Sequence, residues 1–153
     1  MKNTFLLIAF LVLFTANTLG QKVSAIGMFM DGKSDDDHAL GYDVNLWKQG
    51  DKIYGLINAH LGLMNDPPAG ILENVKFDKK TGKLSFAAKL SLDFTSGKKE
   101  NERIPTHDLF EFNGILSKKS LAGKLKITNK TCTKNCVTTK TIKLPFSKLL
   151  KLD

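Results

Sequence analysis

The chain has 153 residues, 42% of them hydrophobic and 25% charged, which excludes a disordered or fibrous protein and leaves room for one core rather than two full domains. Lysine and arginine number 23 against 15 aspartates and glutamates, a formal net charge of +8. Arg103 is the only arginine; specific nucleic-acid readers favour arginine forks, so the lysines read as a solvated outer face and as edge protection.

Met1-Lys2-Asn3-Thr4 places one positive charge ahead of ten uninterrupted apolar residues, Phe5 to Phe14, and small or polar residues follow from Thr15 to Gly20. This is the three-part pattern of a secretory signal peptide, with cleavage expected after Gly20 and, as second choice, after Ala25. Ten residues are too few to cross roughly 30 Å of hydrocarbon as a helix. An uncleaved anchor is the competing reading. No second apolar run follows, so residues 21–153 are expected to be a single soluble domain without a transmembrane segment, secreted or periplasmic.

A first strand is expected around Ala25 to Met30. Asp31 to His38 (DGKSDDDH) is polar throughout and reads as a long loop. Ala39 to Trp47 and Lys52 to His60 then flank the turn Lys48-Gln49-Gly50-Asp51. Gly62 to Gly70 contains Pro67-Pro68, which cannot sit in a central strand, and reads as a second long loop. Ile71, Val75 and Phe77 alternate with Leu72, Asn74 and Lys76. The turn Asp78-Lys79-Lys80-Thr81-Gly82 leads into Lys83 to Leu92, where Leu84, Phe86, Ala88, Leu90 and Leu92 share one parity. Period two marks a strand with one buried face, and the two runs predict a hairpin.

Thr95 to Thr106 is a third loop, with the charged run Lys98 to Arg103. Asp108 to Leu116 and Leu121 to Thr128 flank Ser117 to Ser120, with Leu121, Gly123, Leu125 and Ile127 on one face. Val137 to Phe146 follows, with Ile142, Leu144 and Phe146 facing one way. Ser147 to Asp153 reads as a final turn or an extension of that strand. Cys132 and Cys136 enclose three residues; after export such a pair is expected to be a disulfide stapling a hairpin tip. A redox pair or half a metal site are the alternatives, but redox pairs usually have two intervening residues and no second Cys or His pair lies nearby. Asn129-Lys130-Thr131 is a glycosylation sequon, relevant only to eukaryotic secretion.

Short strands in series, tight turns and no helical pattern predict an all-β fold: a single antiparallel up-and-down meander of about eight strands, closed into a barrel so that its edges are hidden. A sandwich is the competing architecture. At this strand number the interior is either filled or holds one small ligand. The runs Trp47…Gly50-Asp51-Lys52-Ile53-Tyr54-Gly55, Asp78-Lys79-Lys80-Thr81-Gly82-Lys83-Leu84-Ser85-Phe86 and Phe112-Asn113-Gly114-Ile115-Leu116…Leu121-Ala122-Gly123-Lys124-Leu125 resemble small secreted barrels of the calycin type, and are similar to exported bacterial proteins without an established function. The resemblance covers roughly residues 39–128. Trp47 follows Asn45 and Leu46 where lipocalins open with Gly-x-Trp, and a lone tryptophan is not the set with which avidins enclose biotin. The resemblance therefore implies a fold and no particular ligand.

The run Asp35-Asp36-Asp37-His38, with Asp31 upstream, offers carboxylate oxygens of the kind Ca²⁺ takes, but not at EF-hand spacing, and a solvated acidic loop is the favoured reading. His38, His60 and His107 could offer Zn²⁺ three imidazoles only if the fold brought them to one rim. His107 and Asp108 are strand neighbours and point to opposite faces. No nucleophile elbow, metalloprotease helix or phosphate loop is present. The expectation is a non-enzymatic protein with no cofactor and no metal, binding a small apolar or amphipathic molecule through Trp47, Tyr54, Phe86, Phe110 and Phe112. Plain core packing is the competing reading for each. The second expectation is a protein-interaction module, of the inhibitor or immunity type, acting through its three long loops. A cavity of a few hundred Å³ favours the first and a filled interior with exposed apolar loops the second.

Overall fold

Alternating apolar positions form paired strands almost throughout a computed structural model that describes residues 22–31, 33–35, 38–63, 67–96, 102–134 and 136–147. The strands are β1 (Val23–Met30), β2 (Lys33–Asp35), β3 (His38–Gln49), β4 (Lys52–Leu63), β5 (Ala69–Ile71), β6 (Glu73–Phe77), β7 (Lys83–Leu90), β8 (Phe94–Ser96), β9 (Arg103–Pro105), β10 (Asp108–Leu116), β11 (Ser120–Thr128) and β12 (Val137–Ser147). There is no helix among the described residues. The stretch expected to be a signal peptide, with its first-choice cleavage point after Gly20, and Asp36, Asp37, residues 98–101 of the charged run and the C-terminal stretch 148–153 lie outside them.

The predicted antiparallel meander is present. Nine strands run in the order β5-β4-β3-β1-β12-β11-β10-β7-β6, nearly closed into a barrel with one unsealed seam. β12 returns to β1 through Met28↔Ser147 and Phe29↔Phe146. Pro145, next in line, has no N–H to continue that ladder. The expected count of about eight becomes nine because the run 69–77 is split. β5 pairs with β4 through Leu56↔Ile71 and Asn58↔Ala69, whereas β6 pairs with β7 through Phe77↔Leu84.

This split corrects one detail of the periodicity. Ile71 does not share the inner face with Val75 and Phe77; it is exposed and Leu72 is buried. Asn74 takes φ 53° and the β6–β7 register shifts between Glu73 and Lys76, so the inward parity changes within the run. Asparagine tolerates the left-handed region better than most residues. The long loops also contain short ladders. β2 folds back on β3 through Lys33↔Leu40, and β8 and β9 form a ribbon through Thr95↔Ile104.

The inner face of the sheet carries Phe29, Val44, Leu46, Ile57, Leu84, Phe86, Leu90, Phe110, Phe112, Leu121, Leu125 and Leu144, all nearly or fully buried. Phe86 and Phe112 stack with ring centroids 5.0 Å apart. Gly114 and Gly123 stand directly opposite each other, and a Cβ on Gly114 would come within 2.7 Å of the Gly123 Cα and collide with the Phe112 ring. The two glycines thus let adjacent backbones approach while an aromatic ring takes the space.

Cys132 and Cys136 form a disulfide at the tip between β11 and β12, with Cα atoms 5.4 Å apart. A sequence separation of four closes a very short loop, worth about 2 kcal/mol on the chain-entropy account. Reduction is therefore expected to lower the thermal midpoint by about 5 °C without unfolding the barrel, as measured by circular dichroism with and without reductant.

Candidate binding surface at the loop rim

In a meander the connections alternate between the two ends of the barrel. The tight turns 48–51, 78–82 and 117–120 close one end. The connections carrying β2, the Pro67-Pro68 stretch, the β8–β9 ribbon and the disulfide all gather at the other. The three segments read as loops from their polarity and prolines therefore share one rim.

Asp108 organises that rim. It is fully buried, and its carboxylate accepts from the Thr106 hydroxyl at 2.7 Å, the Lys130 N–H at 3.1 Å and the Leu92 N–H at 3.3 Å. Chain leaving β7, entering β10 and leaving β11 is thereby tied to one side chain. His107 beside it takes φ 50° and donates its N–H to Ser91 Oγ at 3.2 Å. His107 and Asp108 do not pair with each other.

Above the core at this end, Tyr42 packs edge-on against Phe110 with centroids 6.4 Å apart. Lys140 donates to the Tyr42 hydroxyl at 3.1 Å and lies 5.5 Å from the ring centroid. Lys140 thus departs from the solvated outer face assigned to it by sequence: it pairs with Leu125, a core residue, and so points toward the mouth. Leu40 and Leu61 face each other across β3 and β4 on the parity of Tyr42 and Ala59, yet are 60% and 55% exposed. The β8–β9 ribbon adds exposed Phe94 and Ile104.

The five candidate aromatics do not converge. Phe86, Phe110 and Phe112 are buried in the core. Trp47 and Tyr54 are cross-strand neighbours on the outer wall, with Tyr54 exposed. Trp47 also pairs with Ala25. Sequence reasoning missed Tyr42, Lys140 and Asp108 as organisers of the rim. An aspartate at the start of an apolar strand was the available signal for the last.

Asp43 is buried on the outer face of β3. One carboxylate oxygen accepts from the amides of Asn45 at 2.7 Å and Asn58 at 2.8 Å; the other lies 2.7 Å from His60 Nε2. Among the described residues no serine, threonine or cysteine completes this pair toward a nucleophile, and its chemistry is that of a polar staple between β3 and β4. No three His, Cys, Asp or Glu side chains converge as a metal site among the described residues. Of the three histidines, His60 is held by Asp43 and His107 by its backbone on a different connection.

At the opposite end, Asp51 and Lys79 form an ion pair between two turn tips. The hydrogen bond from Lys79, reinforced by its charge, holds the Asp51 carboxyl below its ordinary value of 3.8. Its ionised form is thus favoured in the folded chain, so the contact is intact above the ordinary carboxylate range and is lost as pH falls through the lowered value. Carboxyl NMR shifts are expected to give Asp51 a midpoint below 3.8 that moves up toward it in high salt, since the pair is exposed. Comparison with family models, curated proteins and solved structures returned no match to this chain.

Proposed function

We propose that the chain is an exported, non-enzymatic β-barrel that binds a partner protein through its loop rim. The observation that carries this reading is the contrast between the buried aromatic and aliphatic side chains of the inner face and a rim bearing exposed Leu40, Leu61, Phe94 and Ile104. Exposed apolar side chains are costly where nothing covers them, and Asp108 fastens the connection that bears Phe94 and Ile104. The leader-like first twenty residues and the Cys132–Cys136 disulfide support an oxidising compartment; no helix among the described residues is long and apolar enough to cross a membrane. Kinship with small secreted barrels of the calycin type belongs to the same proposal.

Native mass spectrometry of protein purified from its own host's envelope tests it. A partner protein is expected on the wild type and is expected to be lost from the exposed double variant Leu40→Asn, Leu61→Asn at unchanged melting temperature. A second reading rests on Tyr42 and Lys140. An ammonium and a hydroxyl beside two exposed leucines suit the anionic end and apolar tail of a small amphipathic molecule lying on the rim. A co-purifying small mass that disappears in Lys140→Ala would favour this reading over the first.

A further inference from the structure

We propose that the seam between β4 and β6, remote from the loop rim, accepts an extended peptide segment of a partner protein as an added strand. The ladder between β4 and the run 69–77 ends where the Leu72 N–H donates to the Gly55 carbonyl at 2.9 Å. Beyond that point Asn74, at φ 53°, turns the chain away to pair with β7. The edge of β4 over Lys52–Tyr54 is left without a strand partner among the described residues, and so is the edge of β6 that faces it.

Between these edges lies a cleft of about 510 Å³ lined by Ile53, Tyr54, Leu72, Asn74, Val75 and Phe77, among others. Its size is that of a ligand site, but its walls are main chain that lacks main-chain partners. Such walls select another extended backbone, which supplies donors and acceptors at strand spacing. Ile53, Val75 and Phe77 are only half-buried flanks of the core, so a guest with an apolar residue at every second position extends that core over them. Lys52 and Lys76 stand exposed beside the opening, while Asp51 is engaged by Lys79. The charge around the opening therefore favours acidic residues at the guest's outward positions. The occupant is thus a short extended segment, apolar and acidic in alternation.

The test is selection of displayed random peptides against the full chain, followed by amide NMR of the complex. Enriched peptides are expected to alternate apolar with acidic residues, and to shift and protect the amides of Lys52–Tyr54 and Asn74–Phe77. Val75→Lys should weaken them by about tenfold or more. The surface double variant Lys52→Glu, Lys76→Glu should weaken them similarly while leaving the fold intact, which keeps the test decisive if Val75→Lys unfolds. Absence of enrichment, or binding that shifts only rim amides near Tyr42, Asp108 and Phe94, overturns the proposal. The second of these outcomes would leave the rim reading standing.

Discussion

Replacing Phe110 with alanine is expected to destabilise the protein by about 4 kcal/mol and to abolish no binding that the folded protein displays. Phe110 is fully buried, stands between Ala88 and Ile127 on its two neighbouring strands and packs edge-on against Tyr42. Deleting a ring from such a site removes its transfer free energy and leaves a hole that the sheet cannot collapse, because both flanking strands are held by ladders. Phe86 and Phe112, stacked on each other, are expected to behave alike. Urea unfolding measures the loss. A cost under about 1 kcal/mol would mean that the ring borders empty space, as a ligand-lining aromatic does.

Replacing Asp108 with alanine is expected to cost about 3 kcal/mol and to lower the melting midpoint by about 10 °C. The carboxylate is fully buried and satisfies two backbone N–H groups and one hydroxyl from two connections. Alanine leaves those donors unpaired in a place with little room for water. Asparagine at this position is not an equivalent replacement: with its carbonyl facing Leu92 and Thr106, its amide confronts the Lys130 N–H, a donor facing a donor. Asp108→Asn is therefore expected to cost about half as much as the alanine variant. Hydrogen exchange at the Leu92 and Lys130 amides should accelerate in both variants, while amides of the β3–β4 ladder remain protected. Uniform acceleration would mean that Asp108 stabilises the barrel globally rather than its rim.

Much of the architecture was legible in the sequence because a half-buried strand imposes period two on its residues. Leu84, Phe86, Ala88 and Leu90 are all buried, and turns fall where expected, at 50–51, 78–82 and 117–119, with β3 running on through Lys48 and Gln49 and β11 starting at Ser120. The partner switch within 69–77 was not legible. Ile71 and Leu72 are both apolar, so hydrophobicity alone cannot assign which faces inward, and the decision lies in the backbone at Asn74. The ladders of β2 and of β8–β9 are three residues long, too short for periodicity to register. The rim was legible only as three loops without a common place. What unites them are contacts between distant positions: Lys130 with Asp108 across 22 residues, and Lys140 with Tyr42 across 98. The aromatics drew attention by type, yet side-chain type does not separate a ring that packs a core from one that contacts a ligand. Phe86, Phe110 and Phe112 are buried, and the alanine variant of Phe110 is what separates the two roles.

The proposed function requires a barrel with a packed interior that binds on its outside. Xenon is small and apolar and enters dry cavities lined by aliphatic and aromatic side chains. Xenon-pressurised NMR of the wild-type chain, with Phe110→Ala alongside as a positive control, therefore tests it directly. The account predicts no xenon-dependent shifts at Phe86, Phe110 or Leu125 in the wild type and clear ones around the emptied site in the variant. Saturable xenon uptake along the axis of the wild-type barrel would contradict it.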